Sequence, residues 1–386
     1  MSNPGQFITW QPVLTDHQAF TLAELARQAG VPVIAYVTAL EDSTRRKQGW
    51  SDTQVSGIER HLIPSSRSWL YCHRKLLHHR NDTHIFCGTF QSPLLIYCLI
   101  MATWLNIKPY LISEPYCPVA QSYFRKRPGI LDQLKATLRP ILYRFYAGFI
   151  KTKIQGIFSI SQLALHQYSK AGVASEKLFP FGYFIPVSVK TLRSARRVQD
   201  QHELRVVFVG SLITIKGLDT LVEAMHLLHS RKSKITLDIF GPGDPNLFSL
   251  NQNNIRYCGQ IPFGSTQEVV AHYDLLVLPS LYDGWGVVIN EALCAGVPVI
   301  CSDRVGAGVL INTFHAGMTF KSSDALGLAN CLSMLATEQN LLVGMQQATT
   351  KAAASIQPER AASYMLQVFH APDGEKGLVP SPWYPF

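Results

Sequence analysis

Apolar residues in this chain fall into short unbroken runs, separated by longer stretches with apolar positions three or four apart. Runs of that length predict strands buried on both faces, and the longer spacing predicts amphipathic helices between them. In the second half the strand runs are sharp: 204–209, 235–240, 275–278 and 296–300, with 255–261 as a shorter segment. In the first half they are 7–14, 31–37, 84–90, 108–113 and 155–161. A helix is expected after Thr15 or Asp16, either of which can cap it, with Leu22, Leu25 and Ala26 on its apolar face. Another spans 92–105, with Ser92 as cap and Pro93 in its first turn. Further helices are read at 161–171, closed by Gly172, at 325–335 and at 358–369. Residues 177–184 lead to a boundary, and 186–203 are polar, basic and without period, as a linker would be. The tail 371–386 is rich in Pro and Gly and predicts no element. The reading is α/β: one domain over 1–190, a second over 204–356, and a last helix over 357–370 that packs back on the first.

One stretch carries most of the chemistry. The run 275–278 leads into Pro279-Ser280-Leu281-Tyr282-Asp283-Gly284-Trp285-Gly286, and residues 287–295 are helical in composition up to Gly296. A strand ends, a Gly-rich loop turns, and a helix begins. Gly284 and Gly286 let the backbone approach a ligand closely. The first amides of the helix, at Val287 and Val288, favour a phosphate. Asp283 and Glu291 bracket the loop, and each carboxylate can accept hydrogen bonds from two hydroxyls. That combination suits a nucleotide-sugar; the plain alternative is an ordinary strand–turn–helix of an α/β sheet.

The spacing from Asp283 to Glu291 resembles the acidic-x7-Glu motif of retaining glycosyltransferases of family 4, with Asp283 in place of the usual first Glu and Trp285 in place of Phe. The segment Gly210-Ser211-Leu212-Ile213-Thr214-Ile215-Lys216-Gly217 is similar to the same family's phosphate loop; Lys216 matches, and Ser211 stands where the family has Arg. The likeness is strongest over 204–335. It implies the GT-B fold, two Rossmann-like domains facing across a cleft, and transfer of a hexose from a UDP- or GDP-sugar with retention at the anomeric carbon. It assigns Lys216 to the donor diphosphate, Glu291 to the ribose and Asp283 to the donor sugar. It adds Gly210, Ser211, Gly241, Ile261, Gly284, Trp285, Gly286, Val287 and Val288 to the donor side. No Asp-x-Asp occurs, so no metal-bound diphosphate and no cofactor are expected. Two readings compete with transfer: a sugar-nucleotide epimerase or hydrolase of the same fold, and a degenerate binding subunit. Retention of Lys216, Asp283 and Glu291 together argues against the second.

Composition narrows the class. The chain has 386 residues, 47% of them hydrophobic, enough for two cores. No apolar run reaches the roughly 18 residues of a membrane span, and residues 1–30 lack the pattern of a secretory signal. The eight Cys stand singly, without metal-ligand spacing, as in a reduced cytoplasmic protein. A net charge of +9 without a nucleic-acid motif points to phosphorylated substrates or anionic lipid, not to nucleic acid.

In the first half, His17 and Glu114 are candidates for the acceptor side, since both fall where strands end. Solvated roles at a helix start and in a loop are the alternatives. Residues 125–153 carry eight Lys/Arg against Asp132, interleaved with Leu131, Leu134, Leu138, Ile141, Leu142, Phe145 and Phe149. Pro140 should kink this helix or start a second one. Such a segment can lie on an anionic membrane, or turn its apolar stripe to the core and its basic back to water. The first option implies a lipid-linked glycan acceptor of surface polysaccharide or lipopolysaccharide synthesis, met at the inner face of the cytoplasmic membrane.

Overall fold

A computed structural model describes residues 5–40, 55–118, 120, 129–188, 203–230 and 234–383. The chain divides into two compact units. One gathers residues 1–116, 141–185 and 357–386; the other holds 117–140 and 186–356.

Seven parallel strands build the sheet of the first unit: β1 (Phe7–Gln11), β2 (Val33–Val37), β3 (Ile58–Leu62), β4 (Thr83–Cys87), β5 (Tyr110–Ser113), β6 (Gly156–Ile160) and β7 (Leu178–Phe181), in the order β3-β2-β1-β4-β5-β6-β7 among the described residues. The inner strands are apolar and buried on both faces, as helix-covered parallel strands must be. The edges differ. β3 reads Ile-Glu-Arg-His-Leu and β7 contains Pro180, and both choices suit strands with one unpaired side. The helix Asp16–Ala29 opens at Thr15, whose backbone N–H donates to the Gln18 side chain at 3.5 Å. The helix Pro93–Trp104 opens at Ser92 with Pro93 at its first position.

The helix Pro358–His370 packs on Asp16–Ala29, and Gln28 donates to the Glu359 carbonyl at 3.0 Å. Phe369 meets Phe7 and Tyr110, with ring centroids 5.4 and 4.7 Å apart. The tail has structure where the sequence predicted none. Lys376 donates to the Tyr110 hydroxyl at 3.0 Å and to Gln155 at 3.2 Å, and the Trp383 ring lies 5.0 Å from Phe184.

Residues Ile130–Ile150 form one helix that runs through Pro140, so no second helix starts there. Tyr143, Ala147 and Ile150 are its buried positions. The alternative of a core-facing stripe does not hold for these positions: Leu131 is 70% accessible, Leu142 61% and Phe145 76%. Arg125, Lys126 and Arg127 lie outside the described residues.

The second unit repeats the plan with β8 (Leu204–Val209), β9 (Ile235–Phe240), β10 (Ile255–Tyr257), β11 (Leu275–Leu278), β12 (Val299–Ser302) and β13 (Gly317–Phe320). They are parallel, in the order β10-β9-β8-β11-β12-β13. Both sheets therefore have the doubly wound order of a dinucleotide-binding fold. In the second core Val206, Phe208, Leu237, Ile239 and Val277 pack against Leu221, Met225 and Leu332 from the covering helices.

The core of the first unit carries a titrating group. Trp10 stacks on Tyr36 at 4.7 Å and donates its indole N–H to Nδ1 of His84 at 3.0 Å. His84 in turn donates from Nε2 to the His79 carbonyl at 2.8 Å. Burial pushes the His84 pKa down from 6.5 to about 4. In the unfolded chain His84 takes up a proton below pH 6.5; in the fold it does so only near 4. The unfolded state thus binds more protons in that window, and stability falls as pH drops through it, by at most about 1.4 kcal/mol per pH unit. Urea titrations of the first unit between these limits should show the slope in wild type and lose it in His84→Asn. A wild-type profile flat below pH 6.5 would contradict the assignment.

Candidate functional site

Strand order fixes where a ligand can go. From β8 the chain winds to β9 on one side and returns to β11 on the other, so the loops after β8 and β11 diverge at a switch point. The loop after β8 contains Gly210, Ser211 and the turn Thr214–Lys216; the loop after β11 contains Asp283 to Gly286. The sequence candidates thus meet at one sheet edge.

Backbone contacts hold the two loops together. The Leu281 N–H donates to the Ile215 carbonyl at 2.8 Å. Gly217 has φ +70°, and a Cβ there would lie 2.0 Å from the Pro279 carbonyl oxygen. Only glycine permits that approach. On its other flank, the Asp283 loop is tied to the segment after β12. Asp283 N–H donates to Arg304, Gly306 N–H to Asp283 and Ala307 N–H to Trp285, at 3.0, 3.0 and 2.8 Å.

This clamp brings the Lys216 ammonium to 2.6 Å from the Asp283 carboxylate. The side chains are 27% and 14% accessible, so the pair is partly screened and contributes about 1 kcal/mol or less. An arriving anion can therefore compete for the ammonium at little cost. Gly286, with φ +92°, caps the helix Val287–Cys294. Its first amides have no acceptor within the helix, and Val287 and Val288 are half-buried beside the loop. Trp285, expected at the donor, is 2% accessible and donates to the Asn290 side chain at 2.7 Å. Its ring anchors the loop, and its carbonyl accepts from Ala307, so both parts of the residue hold the turn in place.

Glu291 lies one turn into that helix and is half-buried. Burial pushes its pKa up to about 7, against a hydrogen bond from Thr266 that lowers it. Gly241 continues β9 with φ +145°; a Cβ there would lie 1.9 Å from the Gly210 carbonyl oxygen, so the ends of β8 and β9 touch. Ile261, beyond β10, is half-buried.

His17 and Glu114 belong to the first unit, and Tyr183 joins them there. The His17 ring is buried, 4.0 Å from the Tyr183 ring, and Tyr183 donates its hydroxyl to the Glu114 carboxylate. The solvated reading of His17 therefore fails: Tyr183 covers it. Gln11, at the carboxyl end of β1, is fully buried, and neither amide atom has a partner among the described residues.

Sequence reasoning missed Tyr183, Thr266, Asn290 and Gln11. Asn290 and Gln11 carried a signal, each a lone amide beside apolar residues. Tyr183 and Thr266 carried none, since their partners are 69 and 25 positions away.

Residues 203–338 match the family model of glycosyl transferases group 1. The second unit carries a group 1 glycosyl transferase domain. Among curated relatives, TuaC of Bacillus subtilis, named for teichuronic acid biosynthesis, is 29% identical over 166 residues, 40% of this chain and 41% of its own. A GDP-mannose-dependent alpha-(1-6)-phosphatidylinositol monomannoside mannosyltransferase of Mycobacterium tuberculosis is 25% identical over 59% of this chain and 58% of its own. The chain thus spans about half the length of these relatives. The solved structure of Anabaena HepE with UDP superposes with a TM-score of 0.69 at 14% identity, over 95% of this chain and 99% of HepE. That likeness establishes the fold, which is GT-B.

The clamp is testable without any ligand. Gly217→Ala should destabilise the second unit by at least about 2 kcal/mol, because strain at positive φ adds to the clash with Pro279. Gly296→Ala, with φ +77° and nothing within 4 Å, should show only the conformational part, about 1 kcal/mol. Equal shifts of the urea midpoints would mean that the contact with Pro279 contributes nothing.

Proposed function

We propose that this protein is a retaining glycosyltransferase that moves a hexose from a nucleoside diphosphate-sugar to a lipid-linked glycan, in synthesis of surface polysaccharide or lipopolysaccharide. The observation that carries this reading is the Lys216–Asp283 pair, 2.6 Å apart at the switch point of the second sheet and beside a helix start. In the reading, the donor diphosphate takes Lys216 from Asp283, and Asp283 turns to the hydroxyls of the sugar. Lys216 and the amides of Val287 and Val288 then stabilise the negative charge that grows on the leaving diphosphate. This cationic and dipolar cradle serves where other transferases use a metal, so the proposed reaction is metal-independent. Glu291 accepts from the ribose hydroxyls. The leaving phosphate oxygen takes the acceptor proton on the same face, so configuration is retained and no protein nucleophile is needed.

On the acceptor side, Glu114, oriented by Tyr183, and His17 beneath it are the polar groups offered to a hydroxyl. The names of the relatives support the product class, since one is named for teichuronic acid biosynthesis and the other for a phosphatidylinositol monomannoside. The UDP bound to HepE supports the donor class. No helix of the described residues is long and apolar enough to cross a membrane, and the proposed place of action is the cytoplasmic face of one, by peripheral contact.

Lys216→Ala should lower the transfer rate roughly 10²–10³-fold with a melting temperature within a few degrees of wild type, because one charge-stabilising group is lost from a preorganised site while the ion pair contributes little to stability. Turnover near wild type would remove Lys216 from the diphosphate. Product analysis of the same reactions without acceptor separates transfer from hydrolysis or epimerisation.

Calorimetry with UDP and GDP reads the carboxylates. Glu291→Gln should weaken the bare nucleotide more than Asp283→Asn does, since the ligand carries a ribose and no sugar. In wild type, nucleotide affinity should rise as pH passes upward through about 7, where Glu291 becomes a carboxylate that accepts from both ribose hydroxyls. The stability of the second unit should move the other way. The folded state holds a proton that the unfolded chain has released, from the ordinary 4.5 up to about 7, so stability declines with rising pH in that window. Glu291→Gln should abolish both dependences; their persistence would assign them to another group.

A further inference from the structure

The helix Ile130–Ile150 is apolar on two opposite faces. Tyr143, Ala147 and Ile150 point into the first unit's core, where Tyr143 lies 5.5 Å from Tyr168 and 4.6 Å from Tyr116 between ring centroids. Ile130, Leu131, Leu134, Ile141, Leu142 and Phe145 are exposed, from 48% at Ile141 to 85% at Ile130. At about 100° per residue these six fall within an arc of about 120°, centred opposite the buried face. The same geometry places Lys135 on one flank of the arc and Arg144 on the other, both exposed. Asp132, the acid of this helix, lies toward the buried side.

A packed helix has no structural need for this second face. Single exposed apolar residues are ordinary, but a contiguous row over most of a 21-residue helix marks a surface that is covered in use. The flanking charges indicate what covers it. A protein partner would have to answer an apolar ridge bordered on both sides by cations, and a second copy would bring cation against cation. An anionic lipid surface answers both parts, because acyl chains take the ridge while headgroup phosphates meet Lys135 and Arg144. The net charge of +9 acts in the same direction at longer range.

We propose that this helix lies in the plane of an anionic bilayer with the ridge from Ile130 to Phe145 inserted at the boundary between headgroups and acyl chains. Insertion holds the protein, and the flanking cations select the lipid. The inference deepens the proposed lipid-linked acceptor: it names the surface through which a soluble fold reaches such a substrate.

The experiment is co-sedimentation with vesicles of phosphatidylcholine containing phosphatidylglycerol, and with phosphatidylcholine alone. Wild type should bind the anionic vesicles, and a measurable fraction should persist at about 1 M salt, where screening removes the electrostatic part. The triple variant Leu134→Ser, Leu142→Ser, Phe145→Ser should bind at least tenfold more weakly at every salt concentration. Lys135→Ser with Arg144→Ser should bind roughly tenfold more weakly at low salt and like wild type at high salt. All these positions except those of the buried face are exposed, and circular dichroism melts of each variant confirm the fold. Wild type left in the supernatant, or a triple variant that binds as well as wild type, overturns the proposal. So does wild-type dimerisation lost in the triple variant without vesicle binding, which would assign the ridge to a second copy. Calorimetry with UDP or GDP on the same preparations separates the two readings. Nucleotide binding without vesicle binding removes only this inference, and vesicle binding without nucleotide binding removes only the transferase.

Discussion

The close approach of two backbones at Gly217 and Pro279 is the constraint on which the site depends. Parallel strands deliver their loops to one edge, but adjacency of strands alone leaves side chains several ångströms apart. The missing Cβ at Gly217 and the hydrogen bond from Leu281 to Ile215 close that gap. Lys216 and Asp283, 67 positions apart, reach contact as a result. The contacts of Asp283 and Trp285 with 304–307 fix the loop from its other side, and the buried Trp285 ring holds the turn before the helix. The fold thus supplies rigidity to residues that do not touch each other in sequence.

The site is also electrostatically unfinished. Its ammonium is paired with a carboxylate that competes with any anion, and its second carboxylate is raised to about 7 by burial. The ion pair stabilises the empty site slightly and must open before an anion can take the ammonium, whereas burial makes the charged form of Glu291 costly. A group that is costly alone and satisfied by ligand is a reasonable definition of preorganisation. Ser211 adds no charge to this loop, so Lys216 is the cation that residues 210–217 offer.

The first unit shows the opposite economy. Its core is aromatic and closed: Trp10 stacks against Tyr36 and Phe86, and the last helix and tail seal the sheet with Phe369 and Lys376. In this unit the last part of the helix, from Ile141, buries Tyr143, Ala147 and Ile150 and leaves Ile141, Leu142 and Phe145 exposed. Buried polar atoms at Gln11 and the linked rings of His17 and Tyr183 gather where its strands end, the edge at which an open sheet receives ligands.

Much of this was legible in the sequence. The runs 204–209, 235–240 and 275–278 coincide with β8, β9 and β11, because strands buried on both faces must be continuously apolar. Thr15 and Ser92 stand at helix starts as expected, although Ser92 makes no side-chain cap bond and the local signal there is Pro93 in the first turn. Lys216, Asp283 and Glu291 could be named because glycine and charge at a strand end are rarely idle. β3 and β7 escaped because edge strands carry charge and proline, which mask the apolar signal. The stripe at 131–145 was readable as a helix face but not as an inside or an outside face. Periodicity reports that a face is apolar, and only the packing of Tyr143 and Ala147 decides which side the core takes. Tyr183 beside Glu114, and Thr266 beside Glu291, left no trace at all, since a contact across the fold is made by the geometry of the sheet and not by any local pattern. The sequence determined the elements and the reactive groups; the tertiary structure decided which groups meet and which apolar face stays uncovered.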